Sequence, residues 1–280
     1  MRLSNKSSIL LFSILLIPAI HSHSHTIPFT LKRGVPEIEV AINDSIRASF
    51  IIDTGADQVY IDKNFAEKHG LLSGGKMPMR PAVGINQTAE VFQIFMRKIA
   101  IGNITQSVVS AVVIELPLII KDTSKGMPDG ILGYAFLKSH NILLNYRDST
   151  IEFDLSDSAI AGQKNMKVPF NLDRHLVSVS SKINDTVDAK MILDTGSSRT
   201  IFSPALANAL KLKDSSEVSK IKLAGRVTTS NVKVLVRDIN AIILASKSDD
   251  LDGILGTNFL LERRLIIDYQ NSQLIIFANK

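Results

Sequence analysis

The sequence predicts a mainly β protein built as two similar closed lobes with a few short helices. Three observations lead there: one long internal repeat, apolar strands punctuated by hairpin turns, and an apolar fraction large enough for two cores. The chain has 280 residues, of which 45% are hydrophobic and 21% charged. That balance excludes a disordered tail or a fibrous repeat. Lys and Arg total 32 against 27 Asp and Glu, but the net charge of +5 is spread along the chain. The densest basic step is Arg263-Arg264, so no cationic stripe of the kind that tracks a phosphate backbone is present, and no nucleic-acid partner is expected. With no Cys there is no disulfide, thiolate nucleophile or thiolate zinc site, and no metal or other cofactor is expected.

The chain opens with Arg2 and Lys6, an apolar run over 9–20, and the stretch His21-Ser22-His23-Ser24-His25. This order reads as a secretory signal peptide over 1–24. The run falls short of the ~20 apolar residues that cross a bilayer. Cleavage is expected after Ser22 or Ser24, giving an exported protein, periplasmic or secreted, with no membrane span left. The alternating histidines read as a leader rather than a metal site.

The repeat begins where Ile27 to Arg33 (IPFTLKR) matches Val168 to Arg174 (VPFNLDR). At the same offset Asn43-Asp44 meets Asn184-Asp185, Asp53-Thr54-Gly55 meets Asp194-Thr195-Gly196, and Gly84 meets Gly225. The second copy is then shorter, yet the register recovers at Asp129-Gly130-Ile131-Leu132-Gly133 and Asp252-Gly253-Ile254-Leu255-Gly256. A repeat this long gives two lobes: 25–156, a polar linker over 157–166, and 167–280. The missing residues are expected to correspond to a first-lobe hairpin over 99–120, lying beside the cleft.

Within a copy the elements follow in order. Strands over 36–42 and 45–52 flank Asn43-Asp44, a pair that tolerates the positive φ of a tight hairpin. The second strand ends in Asp-Thr-Gly. A short helix follows, opened by Asp62 in the first copy and by Ser203-Pro204 in the second, and Gly70 suits the first helix's end. Strands over 91–101 and 104–114 flank Gly102-Asn103. Each copy reads as a closed, mainly antiparallel unit. Sequons begin at Asn43, Asn86, Asn103 and Asn184, and His69, His140 and His175 lack ligand spacing.

A single Asp-Thr-Gly is ordinary turn composition. Two in register, each after an apolar strand and each followed by Asp-Gly-Ile-Leu-Gly, are a constellation. Hydrolysing a peptide bond without metal or covalent intermediate needs one group to take a proton from water and another to protonate the carbonyl oxygen. Two adjacent carboxylates cannot both ionise cheaply, so they share a proton and supply both functions, an arrangement for which aspartic proteases are the known example.

The chain resembles the aspartic protease superfamily of pepsins and retropepsins, from about His25 to Lys280. The resemblance implies the acid protease fold and an exported endopeptidase acting on a peptide or protein, with Asp53 and Asp194 as the catalytic pair and a monomer working as an intramolecular pseudo-dimer. It implies that Thr54 and Thr195 bond across the two active-site loops and that Gly55 and Gly196 permit close approach. The Asp-Gly-Ile-Leu-Gly segments would lie beneath the loops as apolar support, with Asp129 and Asp252 structural. The first site, DTGAD, is similar to the retropepsin form, and Asp57 there would hold substrate backbone. The second, DTGSS, is nearer the pepsin form; Ser197 either bonds Asp194 or bonds its own turn. If Ser197 favoured ionised Asp194, the shared proton would sit on Asp53.

The chain also departs from these patterns. Tyr134 and Thr257 stand where retropepsins carry an Arg, which leaves Asp57 without its expected partner. The candidate flaps, 81–91 and 223–232, contain no Tyr or Trp, while Gly84 and Gly225 supply one flexible point each as substrate-contacting flap residues. The chain is short for a pepsin and lacks its disulfides. Alternative readings are a peptide-binding module that keeps the cleft without turnover, and a processing enzyme with one dedicated substrate.

Overall fold

The computed structural model describes residues 26–79, 90–116, 120, 124, 126–156, 160–248 and 250–278. The signal-peptide reading of 1–24 and the candidate flap residue Gly84 lie outside the described residues. Among those described, no helix is long and apolar enough to cross a membrane.

The first lobe runs β1 (Ile27–Pro28), β2 (Thr30–Lys32), β3 (Val35–Ile42), β4 (Ile46–Ile52), β5 (Val59–Asp62), α1 (Lys63–Lys68), β6 (Met77–Met79) and β7 (Val91–Ile101). It continues through β8 (Ile104–Ile114), β9 (Gly130–Leu132), α2 (Tyr134–Leu137), β10 (Asn141–Asn145) and β11 (Thr150–Phe153). The second lobe runs β12 (Asn165–Pro169), β13 (Asn171–Asp173), β14 (Leu176–Ile183), β15 (Val187–Leu193), β16 (Thr200–Phe202), α3 (Pro204–Ala209) and β17 (Ser215–Leu223). It ends with β18 (Val227–Val236), α4 (Asn240–Ser246), β19 (Gly253–Leu255), α5 (Thr257–Leu260), β20 (Arg264–Asp268) and β21 (Gln273–Phe277). The second lobe's first strand starts inside the segment expected as a linker.

Each lobe closes as a six-stranded barrel. In the first, the order β3-β4-β9-β5-β8-β7 returns to β3; in the second, β14-β15-β19-β16-β18-β17 returns to β14. Closure leaves no open edge in the ring. Alternation along each strand sends Val40, Ile42, Phe50, Ile52, Ile99 and Ile101 inward in the first barrel, and Val179, Ile183, Met191 and Leu193 inward in the second. Asn43-Asp44 and Asn184-Asp185 all take positive φ, between 49 and 72°. Asn and Asp adopt that region more readily than other residues carrying a Cβ, so the hairpin was legible. Asp62 caps α1 by accepting from the Asn64 and Phe65 N–H groups, and Ser203 caps α3, with Pro204 in its first turn.

A third sheet joins the lobes in the order β1-β11-β10-β20-β21-β12. Its centre is the antiparallel pair β10–β20, with Asn141 opposite Asp268 and Asn145 opposite Arg264. Both faces are covered: Ile142, Leu144, Leu265 and Ile267 fill one core, Leu143 and Ile266 another.

The pairing relocates the length difference between the lobes. Asn43 and Asn184 each accept, through Oδ1, the N–H of a strand residue: Lys98 in the first lobe, Lys220 in the second. Lys98 and Lys220 are therefore equivalent, and β7–β8 is the counterpart of β17–β18. The equivalence Leu71 with Leu212, each donating to the helix residue five before it, still holds the offset of Asp53 with Asp194. The surplus thus lies between Leu71 and Lys98, in β6 and the residues around it. The expectation that it is a cleft-side hairpin over 99–120 is corrected: β7 and β8 are barrel staves whose register with β3 and β5 closes the ring.

Candidate active site

β4 and β15 are buried apolar strands that end together at the lobe interface, and each delivers its Asp-Thr-Gly there. The Asp53 N–H donates to the Leu132 carbonyl at 3.1 Å and the Asp194 N–H to the Leu255 carbonyl at 3.0 Å, which ties each loop to β9 or β19. Gly133 and Gly256 pass so close beneath that a Cβ on either would lie 2.3 Å from the carbonyl oxygen of Gln58 or Arg199. The Asp-Gly-Ile-Leu-Gly segments are therefore floor rather than chemistry. Asp129 and Asp252 accept the Ser49 and Lys190 N–H groups within their own lobes.

Two fully buried threonines cross between the loops. Thr54 Oγ1 donates to the Leu193 carbonyl and Thr195 Oγ1 to the Ile52 carbonyl, each at 2.7 Å. Each hydroxyl in turn accepts the other threonine's N–H at 3.1 Å. Four hydrogen bonds in a dry interface hold the loops in one relative position.

On this base the carboxylates meet. Asp53 Oδ1 accepts from the Gly55 and Ala56 N–H groups at 2.8 and 3.2 Å. Asp194 Oδ1 accepts from Gly196 and Ser197 at 2.9 and 3.1 Å. Each carboxylate also sits over the other loop's glycine: a Cβ on Gly55 would fall 2.7 Å from Asp194 Cγ, and one on Gly196 2.3 Å from Asp53 Cγ. Only glycine admits that approach. Burial raises both carboxyls above the ordinary Asp value, and Asp194 is pushed further by the charge of Asp53 and the hydrogen bond between the pair. Two carboxyls so placed cannot both ionise cheaply, which favours one proton shared between them.

The crossed threonines and paired carboxylates coincide with two family matches in tandem. An aspartyl protease model covers residues 38–136, and a gag-polyprotein putative aspartyl protease model covers residues 179–262. The chain belongs to the retropepsin-like aspartyl protease family. A search of curated proteins gives no match.

Several residues expected of a retropepsin-like site lie elsewhere or are differently engaged. The Ser197 hydroxyl donates to the Arg199 carbonyl at 2.8 Å, and only its backbone N–H reaches Asp194. The reason for placing the shared proton on Asp53 therefore falls away. Asp57 does have a partner: the Tyr60 hydroxyl donates to it at 2.6 Å, and burial beside that carboxylate raises the phenol and keeps it protonated. Tyr134, at the place of the retropepsin Arg, packs edge-on against Tyr269 with ring centres 5.6 Å apart. Thr257 at the matching place donates to the Thr195 carbonyl at 3.3 Å.

Gly225 is a further correction. It lies in the β17–β18 turn at φ 69°, the equivalent of the Gly102-Asn103 turn and not of Gly84. Beside it Arg226 donates to the Lys167 carbonyl of the interlobe sheet, which faces this turn toward that sheet. Segment 223–232 is thus no flap. The second lobe passes from α3 to β17 through 210–214 and has no equivalent of β6, which pairs with β7 from Met77 opposite Gln93 to Met79 opposite Val91. The paired-flap expectation gives way to one candidate flap segment, in the first lobe.

Sequence reasoning passed over His175. It lines a cavity of about 150 Å³ with Gly55, Leu176, Ile192, Asp194, Ala241, Ile242 and Ile254. The signal available was positional: His175 stands one residue before β14, where the first copy has Gly34.

Proposed function

We propose that this chain is an exported aspartic endopeptidase in which Asp53 and Asp194 are the catalytic residues. The observation that carries the reading is the mutual seating of each carboxylate on the opposite loop's glycine, fixed by the crossed threonines. In the singly protonated pair, the ionised carboxylate takes a proton from a water as that water attacks the scissile carbonyl. The protonated carboxyl donates to the carbonyl oxygen, and the resulting diol collapses as a proton passes to the leaving nitrogen. The Gly55, Ala56, Gly196 and Ser197 N–H groups hold each carboxylate's Oδ1, leaving the pair aligned. Export rests on the N-terminal basic residues and apolar run, and both lobes on one chain support action as a monomer.

The test is hydrolysis of a diverse peptide library by the mature chain and by Asp53→Asn and Asp194→Asn. Each substitution is isosteric and removes the shared-proton chemistry, so each should lower kcat/KM by at least roughly a thousandfold with the fold unchanged. Near wild-type turnover in either variant rejects the pair. Peptide binding without turnover in the wild type selects the non-catalytic reading. N-terminal sequencing of the protein recovered from the expressing cell's exported fraction checks the leader.

A further inference from the structure

The pair and its loops are nearly two-fold symmetric, but the residue before β14 that lines the cavity beside Asp194 is His175, where the first lobe has Gly34. Five of the cavity's walls are apolar: Leu176 from β14, Ile192 from β15, Ile254 from β19, and Ala241 with Ile242 from α4. Its remaining lining is Gly55 and Asp194 of the catalytic loops and one further polar side chain, His175. An apolar cavity of about this size accommodates a benzene ring. It therefore has room for one medium-sized side chain next to the scissile bond and not for an indole.

His175 is half-buried, and its ring nitrogens make no hydrogen bond among the described residues. Asp53 feels the imidazole electrostatically, so the ring stands within reach of the reacting groups. A polar group that enters an apolar cavity without a partner loses its hydration for nothing, whereas one that meets a donor keeps the exchange favourable. The imidazole N–H is such a donor. The matching position of the first lobe carries no such donor: Gly34 stands there, and a Cβ on it would fall 2.9 Å from Ser198 Cβ.

We infer that His175 is a specificity-determining residue that makes this one subsite prefer a side chain with an apolar stem and a terminal hydrogen-bond acceptor, glutamine or glutamate, over an apolar isostere. The inference rests on the peptide-hydrolase reading of the site and names the substrate class for it. Because the reader is on the second lobe alone, the preference holds on one side of the scissile bond only. A site built to hydrogen-bond a substrate group discriminates against the analogue that lacks it.

The experiment uses the mature chain and non-cleavable reduced-amide peptides that differ only at one residue flanking the reduced bond, scanned on both sides. Kd is measured by calorimetry, and kcat/KM is measured for the matching cleavable peptides. On one side, glutamine or glutamate should bind roughly tenfold tighter than methionine, the difference expected of one net hydrogen bond. Tryptophan should bind worst. His175→Leu should remove or invert the preference, and His175→Asn, which keeps an N–H donor, should retain most of it. Ile242→Phe, which fills the cavity, should weaken both ligands together. An unchanged ratio in His175→Leu, a preference on neither side, or binding of no analogue would each overturn the inference. Binding with the expected ratio but no hydrolysis would uphold the subsite and reject the endopeptidase reading. Hydrolysis with a ratio insensitive to His175 would do the reverse.

Discussion

At the scale of single residues the site is governed by the conflict between two carboxyls and the burial that forces them together. Both pKa values are raised, Asp194 the more. A raised folded-state pKa means that the native state binds the proton more tightly than the unfolded chain does. The stability from this source is fully present below the unfolded Asp value and is lost as pH rises through the raised value. Asp194→Asn abolishes that titration, so its unfolding free energy should exceed wild type at neutral pH and lose the advantage near about pH 3–4. Urea unfolding across that pH range checks the sign; a variant less stable than wild type at neutral pH contradicts it. The threonine crossing should be costly to break. Thr54→Val keeps the shape but strands the Leu193 carbonyl and the Thr195 N–H, both buried. At about 1–3 kcal/mol for each stranded group, the loss should be roughly 2–6 kcal/mol by denaturant midpoint.

At the scale of elements the two lobes differ by what lies between Leu71 and Lys98. β7 and β8 carry Ile94, Met96, Ile99, Ile101, Ala111 and Val113 into the first barrel, all buried. β6 contributes Met77 and Met79, both exposed. Replacing residues 72–90 by the short connection of the second lobe, 213–214, should therefore leave the first barrel folded while abolishing or redirecting peptide cleavage. Deleting 99–114 should unfold the lobe, since it removes all of β8 and the Ile99-Ala100 end of β7 that pairs with β3, and so opens the ring. Thermal unfolding together with cleavage assays separates the outcomes; a folded lobe without β8 contradicts the barrel assignment. This element also shows the reach of linear reasoning. Matching glycines by offset paired Gly84 with Gly225, because an offset carries no information about where residues are lost. The Asn43–Lys98 and Asn184–Lys220 bonds supply that information through the strand register.

At the scale of the whole molecule, the lobes are joined by the threonine crossing, by the carboxylate pair and by the β10–β20 ladder, which the Tyr146 N–H extends by donating to the Arg263 carbonyl. Neither half completes these alone. Expressed separately, the halves 26–156 and 160–280 would expose Ile142 and Leu144, or Leu265 and Ile267, and leave open strand edges. They should aggregate or stay inactive apart and regain cleavage when mixed. The intact chain should cleave peptide as a monomer in sedimentation with activity detection. A single half that is monomeric and active would show that one Asp suffices.

The sequence by itself determined the duplication, the mainly β lobes, the Asn-Asp hairpins, the helix caps and the identity of the two carboxylates. These are local properties: alternation sets a strand's inner face, Asn and Asp tolerate positive φ, and Asp62 or Ser203 caps the residues next to it. Only the tertiary structure decided which oxygens meet. It turned the Ser197 hydroxyl toward Arg199, gave Asp57 its partner in Tyr60, moved the surplus segment to the region of β6, and set His175 beside Asp194. Each of those outcomes depends on register between strands distant in the chain or on the meeting of two lobes. A side chain's partner there is chosen by packing in three dimensions, which the spacing of residues along one chain does not encode.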